Sequence, residues 1–340
     1  MAEKPKNLGY RMPAEWETHE ATWLTWPKDP DTFPKGIIES VEEAYIKIIS
    51  ALAKGEKVNI LVDNKETEGK ILSMLPSKEN VFFHYIKSAD VWVRDYGPIF
   101  VKKNNEVAAT KWVFNSWGNK YGELLMDNET GMQIAEFTKK KIFEPGMVLE
   151  GGSIETNGLG TCITTKQCLL NKNRNPKLSK EDIEEYLKGY LGFENFIWLK
   201  DGIEGDDTDG HVDDIARFVN RNTVVCMAEK NQNDENYKNL KENFRILKKS
   251  HDQDGKKINV IPIQMPRKIE IPERRLAASY ANFYIGNAAV LVPAFNDKNG
   301  KKATSTIGKF FPGKEVIGID CKDLVYGYGG IHCITQQQPV

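Results

Sequence analysis

The sequence contains no apolar run long enough to cross a bilayer. Its most apolar short window, Ala288-Ala289-Val290-Leu291-Val292-Pro293, falls far short of the roughly 20 residues a spanning helix needs. The opening residues, Met1-Ala2-Glu3-Lys4-Pro5-Lys6, lack the apolar stretch of a signal peptide. Net charge is nearly absent, −1 from 47 basic and 48 acidic residues, so nothing favours a nucleic-acid backbone or an anionic membrane surface. Cysteines are few and odd in number: Cys162, Cys168, Cys226, Cys321 and Cys333. Without a secretory signal, the expectation is reduced thiols in a cytoplasmic protein, and the Asn128-Glu129-Thr130 sequon is then a chance match. No Pro/Gly/Ser-rich linker interrupts the chain, so residues 1–340 are read as a single domain.

What is present is an ordinary globular composition, 40% hydrophobic and 28% charged over 340 residues. After a Trp- and Pro-rich segment over 8–34, read as irregular, Ile37, Ile38, Val41, Tyr45, Ile48 and Leu52 recur at helical spacing. Val58–Asp63 reads as a buried strand, 65–74 as a helix and Val81–Ile86 as a strand. Further strands are expected near 98–102, 108–114, 147–155, 161–165, 195–199, 215–219, 223–228, 258–264, 281–285, 288–292 and 315–319. Ser179 is a good N-cap with acids following it, and Tyr237, Leu240, Phe244 and Leu247 keep a helical stripe within a charged segment. The alternation points to an α/β class.

Polar motifs interrupt this pattern at Asp95, Glu150, His211 and Cys333, at intervals of roughly 55, 61 and 122 residues. The last interval is near twice the others, and the vacant slot holds Tyr280-Ala281-Asn282-Phe283-Tyr284. About five units of roughly 60 residues, each the size of a supersecondary motif, would fill the chain.

Each motif has a chemical reading. Asp90-Val-Trp92-Val-Arg94-Asp95-Tyr96-Gly97-Pro98 places an aspartate beside a tryptophan face at an expected strand end, suited to a planar cation or to a local ion pair with Arg94. Leu149-Glu150-Gly151-Gly152-Ser153 sets a carboxylate before two small residues, as a plain turn or a close-packed site. In Asp206-Asp-Thr-Asp-Gly-His211-Val-Asp213-Asp214, strand geometry would put His211 and Asp213 on one face, and the surrounding acids would favour the histidinium. A calcium loop fails there, since Gly205 and Ala216 stand where acids are needed, and zinc lacks a second His or Cys pair. Gly329-Gly330-Ile331-His332-Cys333 sets a thiol at a glycine turn, as a nucleophile or a buried strand cysteine.

A cysteine protease would need a Cys-His pair and an orienting group, but not these extra carboxylates. A guanidinium substrate would use them: its N–H donors pair with carboxylates while a thiolate attacks its carbon.

Taken in order, Met12–Trp16, Thr18–Pro27, Val91–Pro98, Leu149–Ser153, Asn173–Pro176, Gly205–Asp213 and Ile331–Gln337 make the chain resemble the agmatine deiminases, within the bacterial-type peptidylarginine deiminase family. The resemblance spans nearly the whole chain. It implies a pentein, an α/β propeller of five pseudo-symmetric ββαβ units with the site at the centre. It also implies hydrolysis of agmatine to N-carbamoylputrescine and ammonia in putrescine biosynthesis, with no metal or organic cofactor and often a homodimer. By motif, Cys333 is the nucleophile and His211 the acid and then base; Asp95 and Asp213 hold the guanidinium. Trp92 packs on substrate, Glu150 orients His211, and Asp207 meets the far amine. Two departures stand in the nucleophile loop: Tyr328 and Gly330 replace a glycine and an asparagine of the family pattern. Two rivals remain, a peptidylarginine deiminase and a non-enzymatic pentein binding protein, of which the second needs no Cys-His-Asp set.

Overall fold

The computed structural model describes residues 3–340. Its framework is five sheets that repeat one pattern. Sheet I joins Gln336–Pro339, His19–Thr25, Lys57–Leu61 and Val81–His84; sheet II joins Ile99–Lys103, Glu106–Thr110 and Lys141–Phe143. Sheet III joins Ile154–Thr156, Thr161–Thr165 and Asn195–Leu199, and sheet IV joins Ala216–Asn220, Thr223–Ala228 and Asn259–Gln264. Sheet V joins Tyr284–Ile285, Ala289–Ala294 and Glu315–Asp320. In each, the first strand runs antiparallel to the second and the second parallel to the third. The parallel pair needs a crossover, which a helix supplies every time. The C-terminal strand pairs with His19–Thr25, so sheet I is completed from both ends of the chain.

The crossover helices follow from sequence periodicity. Over Ile38–Leu52 the residues Val41, Tyr45, Ile48, Ile49 and Leu52 share one face, and all are buried. Lys180–Leu191 starts on a capping box between Ser179 and Asp182, a feature that contributes about 1 kcal/mol. In Tyr237–Lys249 the expected stripe buries Leu240 and Leu247, but Phe244 is only half-buried. The polar Asn243 is fully buried because its amide accepts from Lys200 N (2.9 Å) and donates to Asp201 O (2.8 Å).

Several expected strands are shorter, and the shortening matters for the site. The segment read as irregular over 8–34 contains the central strand His19–Thr25 of sheet I. Within 147–155 only Ile154 and Glu155 are in a strand; Gly151–Ser153 form a tight turn before it. Within 281–285 only Tyr284–Ile285 pair, because Asn282 leaves the ladder to accept from His332 N at 2.8 Å. His211 and Asp213 do not alternate along a strand, since Val212–Asp214 form a short helical turn ahead of Ala216–Asn220. Asp95 likewise lies in the turn Val93–Tyr96 ahead of Ile99–Lys103.

Candidate active site

The five sheets deliver one turn each to a common place. The residues just before each first strand are Asp95 in sheet II, Glu150–Gly152 in sheet III, His211–Asp214 in sheet IV, Asn282 in sheet V and Cys333 in sheet I. A strand end frees the backbone from ladder pairing, so polar side chains there can converge without breaking a sheet.

They converge around Gly152. A Cβ at that glycine would stand 2.6 Å from His211 Nδ1 and 3.0 Å from both Asp213 Oδ2 and Asp95 Oδ1. Only a residue without a side chain fits there. Gly152 N donates to Asp95 Oδ1 at 2.9 Å, and Trp117 Nε1 donates to Asp95 Oδ2 at the same distance. His211 Nδ1 lies 3.8 Å from Asp95 Oδ2, and neither ring nitrogen of His211 has a hydrogen-bond partner. Cys333 Sγ lies 3.9 Å from Asp213 Oδ2 and accepts from Asn282 Nδ2 at 3.2 Å. Asp213 Oδ2 is also held by His332 Nδ1 at 2.7 Å, which leaves Oδ1 buried and unpartnered.

Burial and this ring of carboxylates set the protonation states. Burial pushes the Cys333 thiol well up, and Asp213, Asp214 and Asp95 add to the shift. For His211 burial works against charge, but Asp95, Cys168 and Asp213 outweigh it and raise the imidazole well above its usual value. Asp95 is raised, chiefly by burial. Asp213 is lowered: burial opposes ionisation, and the His332 contact overrides it. The site as folded therefore favours a neutral thiol at Cys333 and a histidinium at His211.

A pocket of about 230 Å³ reaches Cys333 and is walled by Trp92, Asp95, Trp117 and Asp214. His211 and Asp213, both fully buried, adjoin these lining residues: His211 Nδ1 is next to Asp95 and Asp213 Oδ2 is next to Cys333 Sγ. The Trp92 indole donates to Asp90 Oδ2 at 2.8 Å and packs where a Cβ on Gly329 would come within 2.3 Å of the ring. Trp117 reaches Asp95 through a left-handed stretch, with φ of 52° at Ser116, 50° at Trp117 and 62° at Asn119. Such backbone in non-glycine residues costs energy and clusters at functional sites. The mouth is acidic, with Asp29, Asp31, Glu123 and Asp207. Asp207 accepts from the Tyr121 hydroxyl at 2.5 Å and lies 3.7 Å from Lys120 Nζ.

The two departures in the loop before Cys333 have structural counterparts. Tyr328 takes φ of 80°, and its ring covers the pocket edge under the Arg274 guanidinium, 3.4 Å from the ring centre. At Gly330 a Cβ would meet Asn282 Oδ1 at 2.5 Å, so Asn282 occupies the space a side chain there would need.

Glu150 is placed differently from the expectation. Its Oε1 accepts from Arg174 Nε at 2.6 Å, its Oε2 is buried without a partner, and it makes no hydrogen bond to His211. Glu150, Cys168 and His211 each offer a ligand atom within 4.8 Å of the others, all buried. Those donor types suit a soft divalent ion, but the Arg174 guanidinium already sits on Glu150, and its positive charge disfavours a dication there. Three residues were not singled out as site residues by sequence: Asn282, Trp117 and Asp214. The repeat spacing pointed to the slot of Asn282, and Asp214 stood beside an assigned aspartate. Trp117 lies in no motif and is brought in by backbone geometry alone.

The chain matches the model of the Porphyromonas-type peptidyl-arginine deiminase family over residues 11–339. A Medicago truncatula protein named agmatine deiminase is 38% identical over 369 aligned residues, covering 98% of each chain. A solved agmatine deiminase from Enterococcus faecalis superposes with a TM-score of 0.92 at 34% identity, covering 100% of this chain and 98% of that one. DDAH from Pseudomonas aeruginosa superposes with a TM-score of 0.53 at 12% identity over 94% of this chain and 99% of that one, a likeness of fold.

Proposed function

We propose that this chain, which belongs to the Porphyromonas-type peptidyl-arginine deiminase family, hydrolyses agmatine to N-carbamoylputrescine and ammonia. The family makes it a hydrolase of amidine C–N bonds. The observation that carries the substrate is the pocket itself: carboxylates and a thiol at its floor, and four further acids at its mouth. A guanidinium fits the floor and a second cation fits the rim.

In this mechanism Asp95 and the free Oδ1 of Asp213 hold the guanidinium nitrogens, while Trp92 packs on the alkyl chain and Asp207 meets the tail amine. The incoming cation lowers the cost of ionising Cys333, whose proton passes to solvent because His211 is already protonated. The thiolate attacks the guanidinium carbon, forming a C–S bond. The C–N bond to one terminal nitrogen breaks as His211 protonates that nitrogen, and ammonia leaves. The amidino-thioether that remains keeps the whole alkyl chain. Neutral His211 then takes a proton from water, whose oxygen attacks the same carbon. The C–S bond breaks, the thiolate is regenerated, and the new hydroxyl passes its proton to solvent to leave the ureido product. Nucleophile, acid–base group and charge partners all come from side chains, so the reaction calls for neither metal nor organic cofactor. Glu150, paired with Arg174, acts on His211 through its charge.

The five repeated sheets support closure of residues 1–340 about one pseudo-fivefold axis, as a single pentein domain with the site on the axis. A homodimer, a cytoplasmic location and a role in putrescine biosynthesis belong to the same reading. Among the described residues no helix is long and apolar enough to cross a membrane.

A peptidylarginine substrate is disfavoured by the acidic mouth, which attracts a free amine and repels a carboxylate-bearing chain. The test is ammonia release from agmatine, arginine and an internal peptidyl-arginine. Release from agmatine alone is expected. Release mainly from the peptide would move the function to protein modification.

A further inference from the structure

His332 precedes the nucleophile in sequence, yet its ring lies behind Asp213 and not on the pocket wall. Both ring nitrogens meet carboxylate oxygens: Nδ1 is 2.7 Å from Asp213 Oδ2 and Nε2 is 2.8 Å from Glu15 Oε2. Glu15 is in turn held by Arg217 Nη2 at 2.9 Å and by Ile285 N at 2.8 Å, and Arg217 Nε donates to Glu155 Oε2 at 2.7 Å. The His332 backbone is fixed as well, since its N–H donates to Asn282 Oδ1 and its carbonyl accepts from Arg94 Nε at 3.2 Å. All these side chains are buried.

This chain of contacts ends on one oxygen of Asp213. With Oδ2 taken, the only free acceptor on that carboxylate is Oδ1, which is buried and has no partner. A buried carboxylate oxygen left open is costly unless something pairs with it. We propose that His332, backed by Glu15, is a positioning residue for deimination: it occupies Asp213 Oδ2 and thereby presents Oδ1 to the amidinium face of the substrate. The inference rests on the reading of Asp213 as a guanidinium partner.

The test compares two isosteric alkylating agents, chloroacetamidine and chloroacetamide. In both, the Cys333 sulfur bonds to the methylene carbon, chloride leaves and the thiol proton passes to solvent. Only the amidine carries the planar cationic N–H fork that Asp213 would hold. The readout is the ratio of the two inactivation rates, with mass spectrometry locating the label. A wild-type preference for the amidine is expected. In His332→Leu the ratio should fall roughly 10²-fold, as for a misplaced partner group, while the chloroacetamide rate reports that the thiol environment is intact. His332→Asn keeps a donor toward Asp213 and should hold the ratio within about 10-fold of wild type. If His332→Leu does not fold, Glu15→Gln serves in its place; it leaves an oxygen for Nε2 but removes the charge, and the ratio should fall about 10-fold. An amidine preference in the wild type that persists unchanged in His332→Leu, or in its substitute Glu15→Gln, overturns the positioning role. No amidine preference in the wild type would instead overturn the guanidinium reading, and this inference with it.

Discussion

Cys333 Sγ lies 3.9 Å from Asp213 Oδ2, so this thiol faces a carboxylate where a cysteine protease would place a base. Burial holds the thiol neutral, and the neighbouring negative charges add to the effect. In the free protein Cys333 should therefore remain a thiol at pH 7, with thiolate forming once a cation enters. Ultraviolet thiolate absorbance against pH, with Cys333→Ser as the blank, checks this. A free-enzyme titration well below pH 7 would contradict it.

Gly152 is the position on which the side chains of Asp95, His211 and Asp213 close. Gly152→Ala would place a methyl group 2.6 Å from His211 Nδ1. His211 would have to move, and kcat should fall by roughly 10²-fold or more. Steady-state kinetics beside a melting curve would show this; near-normal kcat with a normal melting temperature would argue against the packing described.

Asp207 stands at the mouth, away from the reacting atoms. Asp207→Ala should raise KM for agmatine roughly 10-fold and leave kcat little changed, the pattern of a group that binds substrate and transition state alike. A large loss of kcat with unchanged KM would place Asp207 in the chemistry instead.

Tyr328 occupies a left-handed backbone conformation that favours glycine. Tyr328→Gly should relieve that strain, while uncovering the pocket edge and freeing Arg274. KM should rise without a loss of thermal stability. A drop in melting temperature of several degrees would show that the Arg274 stacking outweighs the backbone cost.

Glu15 is depressed below its ordinary 4.5: burial opposes ionisation, but Arg217, His332 and Arg94 prevail. A lowered carboxylate contributes stability that is present above pH 4.5 and is lost as pH falls through the folded value. The melting temperature should therefore decline below about pH 4.5. Glu15→Gln should melt lower at pH 7 and show a flatter acid limb. Parallel acid limbs in both proteins would contradict this.

Much of this site is legible in the sequence for identifiable reasons. Asp95, His211 and Cys333 fall at regular intervals because each precedes the first strand of a repeated sheet. Val41, Tyr45, Ile48 and Leu52 reveal their helix because one face is buried throughout. The shape of the turns is hidden, since short turns such as Val212–Asp214 carry no periodicity. Contacts across the chain are hidden too: Trp117 reaches Asp95 from 22 residues away and Glu15 reaches His332 from 317. Glu150 illustrates the limit, because nothing in its motif shows that Arg174 claims it.

The most direct test is mass spectrometry of the protein quenched in acid during turnover of agmatine. The expected result is an adduct equal in mass to agmatine less ammonia, located on the peptide that carries Cys333 and absent from Cys333→Ser, which should also release no ammonia. Turnover that persists in Cys333→Ser, or an adduct on another cysteine, would contradict the role given to Cys333.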